Sequence, residues 1–141
     1  DNKTDLRSLK ESIPLQIGSL KLLLVHGSPR KINEYLYAER GDAYFERIMD
    51  GIDADVLVAG HTHLPYHKIL PDGRQIINAG SVGKPKDNNP DACYITLSAD
   101  GADLQVEFIR VPYDVERAAQ AVEAADGMPD KFAQMLRDGR G

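Results

Sequence analysis

Two short apolar runs stand out along the chain, and a helical pattern lies between them. The runs KLLLVHG (Lys21–Gly27) and DVLVAG (Asp55–Gly60) are continuous and are followed by turn residues, as is typical of strands buried on both faces. After Asp42, a candidate helix cap, apolar residues recur at helical spacing. The residues on this face are Tyr44, Phe45, Ile48, Met49 and Ile52. Strand, helix and strand in this order predict a parallel pair joined by a crossover helix.

The segment before the first run has a weaker pattern. DLRSLKES (residues 5–12) favours a short helix that ends before Pro14. PLQIGSL then alternates weakly, with Gly18 and Ser19 as a turn.

The segment after the second run changes to alternating strands and then to helices. Short strands flank the turn signals Pro71-Asp72-Gly73 and Asp100-Gly101, which predicts an antiparallel sheet in the middle of the chain. One terminal helix, DVERAAQAVEAA, starts at a capping Asp114. The other, PDKFAQMLRDG, has Pro129 in its first turn and stops at Gly139. The whole predicts a mixed α/β fold with parallel and antiparallel strands and no internal linker.

Composition narrows the classes of function. Apolar residues make up 42% of the 141 residues, so a core is feasible, and the net charge is −5. An acidic chain lacks the basic surface of a protein that binds bulk nucleic acid, although a bound metal could still attract a phosphate. No apolar run approaches the roughly 20 residues that cross a bilayer, so no membrane partner is expected. The single cysteine, Cys93, fits a reducing, cytoplasmic location.

Histidines follow both apolar runs. His26 comes after LLLV, and His61 comes after VLVAG. If the two strands are parallel neighbours, both side chains emerge at the same edge of the sheet, where open α/β folds place ligands. The adjoining Gly27 and Gly60 would let backbone or ligand approach closely. A histidine at a strand end is also an ordinary hydrogen-bonded residue, and for His26 alone that reading is the stronger one.

His61 and His63 stand two positions apart in GHTH. In a tight loop such a pair reaches one metal site or two adjacent ones, and imidazole suits Zn, Mn, Fe and Ni. Thr62 between them can fix the loop through its hydroxyl. His67 lies inside a predicted hairpin strand and is interpreted as a surface or packing residue.

Two further polar loops could contact a phosphate. INAGSVGKP (Ile77–Pro85) exposes backbone N–H groups after a strand and could bind an anion, although an ordinary turn explains it as well. In GSPRKINEYL, Ser28 and Arg30 closely follow His26, and Arg30 could pair with a phosphate oxygen or be a solvated loop charge.

Taken in order, LLLVHGSPR, VLVAGHTHLP and INAGSVGKP resemble the calcineurin-like metallophosphoesterases, in particular the small bacterial and archaeal phosphodiesterase branch. The C-terminal GMPDKFAQMLRDGRG also resembles that branch, so the similarity extends from about Leu20 to Gly141. The resemblance implies a four-layer α/β/β/α sandwich and a hydrolase with two divalent metals. It further implies that His26 and His61 bind one ion, that His63 binds the other, and that a bridging hydroxide attacks phosphorus.

The resemblance also implies ligands that this sequence lacks. The family has an Asp-x-His, a Gly-Asp whose carboxylate bridges the metals, and a Gly-Asn, and none of these precedes His26. Asp1 resembles the residue just after the Gly-Asn. Residues 1–141 are therefore interpreted as the C-terminal portion of a single metallophosphoesterase domain whose N-terminal βαβ units are missing, with no catalytic residue identified in this portion. Three neutral imidazoles hold two dications poorly, so we expect these 141 residues alone to be inactive or nearly so. A second copy or the missing N-terminal portion is expected to cover the exposed sheet edge.

Several alternatives remain open at this stage. A small phosphodiester is the default substrate and a phosphomonoester the alternative; manganese is the first expectation for the metals, before iron, nickel or zinc. The same fold could instead serve as a non-catalytic protein-binding scaffold, as in a retromer-type sorting subunit that the chain also resembles. A third reading is a mononuclear zinc hydrolase that uses the three histidines and one water.

Overall fold

The computed structural model describes residues 2–141, which form four helices and seven strands. In chain order they are α1 (Asn2–Arg7), β1 (Ser12–Ile17), β2 (Leu20–Val25), α2 (Asp42–Met49), β3 (Val56–Ala59), β4 (Tyr66–Ile69), β5 (Gln75–Asn78), β6 (Ala92–Asp100), β7 (Asp103–Val111), α3 (Val115–Glu123) and α4 (Lys131–Asp138). Asp1, which the resemblance places just after a Gly-Asn motif, lies outside the described residues.

The strands form a mixed five-stranded sheet and a separate hairpin. The order in the large sheet is β1-β2-β3-β5-β4, in which β3 runs parallel to β2 and β5, and the outer strands β1 and β4 run antiparallel to their neighbours. The parallel pair predicted from the two apolar runs is therefore confirmed. The two antiparallel pairs predicted around the turn signals are also confirmed, as β4 with β5 and β6 with β7. The prediction that they form one antiparallel sheet is wrong, because β5 joins β3 in parallel while β6 and β7 pair only with each other.

The predicted helix over residues 5–12 is wrong in its extent. Helix α1 ends at Arg7, and the chain from Ser12 pairs with β2. Strand β1 lies at the edge of the sheet. Pro14 lacks a backbone N–H and is tolerated there, because an edge strand pairs with a neighbour on one side only. Gly18 and Ser19 form the expected turn between the two strands, and Gly18 has a φ of +59°.

The helix ends agree with the sequence only in part. Asp114 caps α3 as expected, since its carboxylate accepts a hydrogen bond from the Arg117 N–H at 2.9 Å. Asp42 does not cap α2. Gly41 occupies the cap position, and the Asp42 carboxylate pairs with Lys68 of β4 at 2.7 Å instead. Helix α4 begins at Lys131, so Pro129 precedes its first turn.

The core lies on both faces of the large sheet, because successive side chains of its central strands point to opposite sides. One cluster packs α2 against the sheet: Leu36, Phe45, Ile48, Met49, Leu57, Ala59, Leu70 and Ile76. The other, Leu20, Leu22, Val56, Val58 and Ile77, packs against partly buried side chains of β6 and β7. Every residue of β3 is buried, as the apolar run predicted. Helix, sheet and hairpin account for three layers; the fourth stays a prediction.

The hairpin covers the large sheet incompletely. An open apolar groove of about 420 Å³ lies between the β1 and β2 end of the sheet and strand β6. Leu15 and Ile13 of β1 are also exposed, to 46% and 45%. The expected exposed apolar surface is thus present. Among residues 2–141, no helix combines the length and the apolar character needed to cross a bilayer.

Candidate metal centre

Parallel pairing of β2 and β3 places two histidines side by side. Leu24 is opposite Val58 in the register, so His26 lies level with Gly60 at the carboxyl ends of the two strands, and His61 follows one residue later. The Gly60 N–H donates to the His26 carbonyl at 2.9 Å and extends the pairing beyond the strands. His26 Nε2 lies 3.0 Å from His61 Nδ1, with the ring centroids 4.9 Å apart. The structure therefore brings these two predicted site residues together.

The GHTH loop has an unusual backbone. His61 and His63 have φ values of +63° and +61°, in the left-handed region that residues with a side chain seldom adopt. Such conformations cost on the order of 1–3 kcal/mol each and occur mostly at functional sites. Thr62 between them is buried, and its hydroxyl accepts from the Leu64 N–H at 3.2 Å. Thr62 thus fixes the turn, as the sequence suggested, while a histidine lies on each side of it.

Asn78 at the end of β5 holds this loop against the sheet. Its side chain is fully buried, and Nδ2 donates to the Gly60 carbonyl at 2.6 Å. Its Oδ1 accepts from the Gly80 N–H at 3.0 Å. The sequence singled out this stretch as a possible anion loop but missed the buried amide, which only the neighbouring position of β3 and β5 reveals.

His63 is oriented by the following polar loop. Its Nδ1 lies 2.6 Å from the Lys84 carbonyl oxygen. A carbonyl can only accept, so Nδ1 carries the proton and the lone pair resides on Nε2. Metal-ligating histidines commonly have their second ring nitrogen tied in this way. The Lys86 N–H also donates to the His63 carbonyl at 3.3 Å.

The C-terminal segment braces the same loop. The Gly141 N–H donates to the Pro85 carbonyl, and the Asn88 N–H donates to the Gly139 carbonyl, both at 2.9 Å. Arg140 Nε donates to Asn88 Oδ1 at 2.7 Å. The loop that orients His63 is therefore held by the C-terminal segment, although Gly141 lies 56 positions after Pro85 in sequence.

The environment keeps the loop histidines neutral. Burial lowers the pKa of His61, and the neighbouring His26 lowers it further. Burial also lowers the pKa of His63, against the opposing effect of the Lys84 carbonyl. A neutral imidazole is the form that binds a metal. His61 Nε2 is in addition buried without a hydrogen-bond partner within residues 2–141.

These donors fit a metal only as part of a site. Two nitrogens about 2.1 Å from one ion lie roughly 3.0–3.4 Å apart at cis to tetrahedral angles, which is the separation of His26 and His61. However, no three histidine, cysteine or acidic side chains within the described residues converge closely enough to hold an ion by themselves. The histidines therefore suit a metal whose remaining ligands come from elsewhere.

Ser28 and Arg30 belong to a network in the loop after β2. The Ser28 hydroxyl is buried, donates to the Glu34 carboxylate and accepts from the Arg30 N–H at 3.1 Å. The Arg30 guanidinium pairs with the same carboxylate through Nε and Nη2, and the Tyr44 hydroxyl donates to it at 3.0 Å. The Arg30 side chain is nevertheless 46% exposed. Sequence analysis did not identify Glu34, although a glutamate four positions after Arg30 is a recognisable signal for an ion pair.

Several other polar residues outside the histidine site have structural roles. His67 is exposed on β4, and its Nε2 lies 2.7 Å from Gln75 Oε1 of the neighbouring strand. Asp72 pairs with Arg74 in the β4–β5 turn, and Asp87 pairs with Arg110 of β7. His67 thus matches its interpretation as a surface residue.

Fold and site together define an α/β protein with two imidazoles clustered at the carboxyl ends of two parallel strands. Residues 1–101 match the calcineurin-like phosphoesterase superfamily domain. The chain therefore belongs to the calcineurin-like phosphoesterases, as the three motifs indicated. Its mixed sheet agrees with this fold, and the family implies a metal-dependent phosphoesterase that uses divalent ions.

Relatives of this chain include proteins with and without a named activity. A probable metallophosphoesterase of Methanothermobacter thermautotrophicus is 34% identical over 104 residues, covering 73% of this chain and 54% of that protein. The crystal structure of a metallophosphoesterase from Sphaerobacter thermophilus is similar with a TM-score of 0.77 at 28% identity, covering 96% of this chain and 62% of that one. Vps29 of Entamoeba histolytica, solved with zinc, shares the fold with a TM-score of 0.53 at 24% identity, covering 74% and 61%. The chain spans 54–62% of the length of these proteins.

Replacing Asn78 by alanine should destabilise the protein and loosen GHTH. The substitution leaves the Gly80 N–H without its partner, at a cost of about 1–3 kcal/mol. It also removes one of two donors to the Gly60 carbonyl, which still accepts from the Thr62 N–H at 2.7 Å. Urea unfolding followed by circular dichroism measures the change. Replacing the exposed Asn33 by alanine is the matched control and should shift stability by less than about 0.5 kcal/mol. Equal unfolding midpoints for both variants would contradict the role of Asn78.

The Glu34 network should contribute stability that depends on pH. Hydrogen bonding to Arg30 lowers the pKa of Glu34 from 4.5 to about 2, with smaller contributions from Ser28 and Tyr44. Because the folded pKa is depressed, the contribution is complete above pH 4.5 and declines as pH falls toward 2. The stability difference between wild type and Glu34→Gln, measured by urea unfolding, should therefore be larger at pH 7 than at pH 3. A Glu39→Gln variant on the same exposed loop is the control, and a difference independent of pH would refute the network's contribution.

Proposed function

We propose that this chain forms part of a two-metal phosphodiesterase. The observation that carries the proposal is the pair His26 and His61, 3.0 Å apart at the ends of two parallel strands, beside a strained loop that also presents His63. Side chains held in costly conformations and kept neutral by burial suit ligand binding better than a purely structural role.

The residues have separate roles in this proposal. His26 Nε2 and the His61 ring hold one ion, and His63 Nε2 holds the other. When bound, two divalent ions supply charge neutralisation at the phosphoryl group and an activated water. The chain's own contribution is positional, because the Lys84 carbonyl fixes the His63 tautomer and Asn78 fixes the Gly60 carbonyl before His61. Manganese is the first candidate for both ions, with iron, nickel and zinc as alternatives for such ligands.

The proposed substrate is a small phosphodiester, with a phosphomonoester as the alternative. Arg30 has five N–H donors, and Glu34 engages its Nε and Nη2, so the exposed guanidinium can still meet a phosphate oxygen. Ser28 supports that arrangement by binding Glu34 from the buried side. The net charge of −5 argues against bulk nucleic acid as substrate. The lone, buried Cys93 supports a cytoplasmic location.

We further propose that residues 1–141 act as the C-terminal portion of one larger domain. Carboxylate ligands from outside this portion would offset the repulsion between two neighbouring dications, which neutral imidazoles do not offset. The apolar groove beside β6 and the exposed apolar residues of β1 support a covering partner. An N-terminal portion of the domain or a second copy of the chain could fill that place.

A protein containing only residues 1–141 should not hydrolyse bis-p-nitrophenyl phosphate with added Mn²⁺, because among residues 2–141 no acidic side chain converges with the histidines to complete a metal site. Release of p-nitrophenol measures turnover, with the full-length natural protein as the positive control. Circular dichroism must first show that the shorter protein is folded. Robust turnover by the folded 141 residues would refute the proposed division of the site.

Histidine substitutions in the full-length protein should show which histidine binds which of the two ions. His26→Ala and His61→Ala should lose the same ion, and His63→Ala should lose the other, so that each retains about one of two ions after dialysis. Metal content by mass spectrometry measures this result. His67→Ala, a histidine on the exposed surface of β4, is the control and should retain both.

The same measurement distinguishes the alternatives. One ion in the wild type, lost in all three variants, would indicate the mononuclear zinc hydrolase. No bound ion and no hydrolysis would indicate a protein-binding scaffold on this fold, for which the zinc-bound Vps29 structure is a fold relative only.

A further inference from the structure

Two tyrosine rings continue outward from the histidine pair. The ring centroid of Tyr35 lies 4.2 Å from that of His61, with 40° between the planes. Tyr37 stacks on Tyr35 with centroids 5.4 Å apart and planes within 8° of parallel. This separation is within the range of offset aromatic stacking. His61, Tyr35 and Tyr37 therefore form a short row of rings that starts at the candidate metal centre.

The loop between β2 and α2 holds this row in place through the residues that alternate with the tyrosines. Leu36 is buried in the core, and its carbonyl accepts from the Tyr66 hydroxyl at 2.7 Å. Glu34 is tied to Ser28, Arg30 and Tyr44. Tyr35 and Tyr37, on either side of buried Leu36 in sequence, are both exposed and therefore lie away from the core. The rings are thus presented on a fixed backbone.

The exposure of these rings has no explanation in the packing of the core. Tyr35 is 41% exposed and Tyr37 is 37% exposed, although the same loop buries Leu36 almost completely. Exposed aromatic side chains on a rigid loop beside a reactive centre are suited to stack on a flat ring of a ligand. Such contacts require no particular pattern of hydrogen bonds, so one pair of tyrosines can accept different planar groups.

We propose that Tyr35 and Tyr37 bind a planar aromatic group of the phosphoester, a nucleobase or an aryl ring, while its phosphate lies at the histidines. The proposal rests on the proposed function for the position of the phosphate and extends it to the class of substrate. The row of rings selects esters that carry a flat group, and it contributes to binding rather than to the chemistry of hydrolysis.

Binding to the full-length protein tests the proposal with two matched pairs of probes. Phenyl phosphate and cyclohexyl phosphate have the same phosphate and the same number of ring carbons, but only the first is planar. AMP and ribose 5-phosphate differ only in the nucleobase. Isothermal titration gives the dissociation constants. We expect the planar member of at least one pair to bind about 5- to 100-fold more tightly. The pair of probes that shows the preference indicates whether the bound planar group is an aryl ring or a nucleobase.

Tyrosine variants assign the preference to these residues. Tyr35→Ala and Tyr37→Ala should reduce the ratio of the affinities for the planar and the non-planar probe toward 1. Tyr35→Phe and Tyr37→Phe, which retain the rings, should preserve that ratio. Tyr113→Ala is the matched control, because Tyr113 is also 37% exposed but lies between β7 and α3. Thermal unfolding of each variant confirms that the fold is intact.

The outcomes separate this proposal from the proposed function. If Tyr35 only shields His61, Tyr35→Ala changes the affinity for both members of a pair equally, and the proposal is overturned. Equal affinities for planar and non-planar probes in the wild type also overturn it, even if metal binding and hydrolysis are intact. If no metal binds but the planar preference is present and depends on the tyrosines, the two-metal function fails while the aromatic site stands.

Discussion

The parallel hydrogen bonding of β2 with β3 is the interaction on which the site depends. It places the carboxyl ends of the two strands at one edge of the sheet, and the Gly60 N–H carries the pairing on to the His26 carbonyl. The distance between His26 and His61 follows from this register, because a shift by one residue would turn one imidazole to the other face of the sheet. The core on both faces stabilises that register through alternating residues of β3, with Leu57 facing α2 and Val58 facing the hairpin.

The strained GHTH loop requires further support, and three distant segments provide it. Asn78 of β5 binds Gly60, the loop after β5 binds the ring of His63, and the C-terminal residues bind that loop in turn. Two left-handed histidines cost free energy that local sequence alone would not sustain. The rigidity of the site is thus a property of the assembled sheet and tail. A similar division holds after β2, where buried Leu36 and the Glu34 network fix the exposed tyrosines.

Much of the fold followed from patterns that depend on short-range physics. The buried strands, the amphipathic face of α2 and the Asp114 cap were predictable because apolar periodicity and capping act within a few residues. The errors arose where distant partners compete. Residues from Ser12 pair with β2 instead of extending a helix, Asp42 pairs with Lys68 instead of capping, and β5 joins β3 instead of a single antiparallel sheet.

The sequence by itself determined the family, through three ordered motifs, and determined which histidines follow the buried strands. The tertiary structure decided which side chains support and surround them. The sequence did not show how Asn78, Lys84 and Tyr35 contact the histidine loop, because each acts on a residue that is remote along the chain and near only after the sheet has formed. Residue types and their spacing indicate which side chains can bind a ligand, whereas the orientation, strain and burial of those side chains arise from contacts that only the folded chain makes.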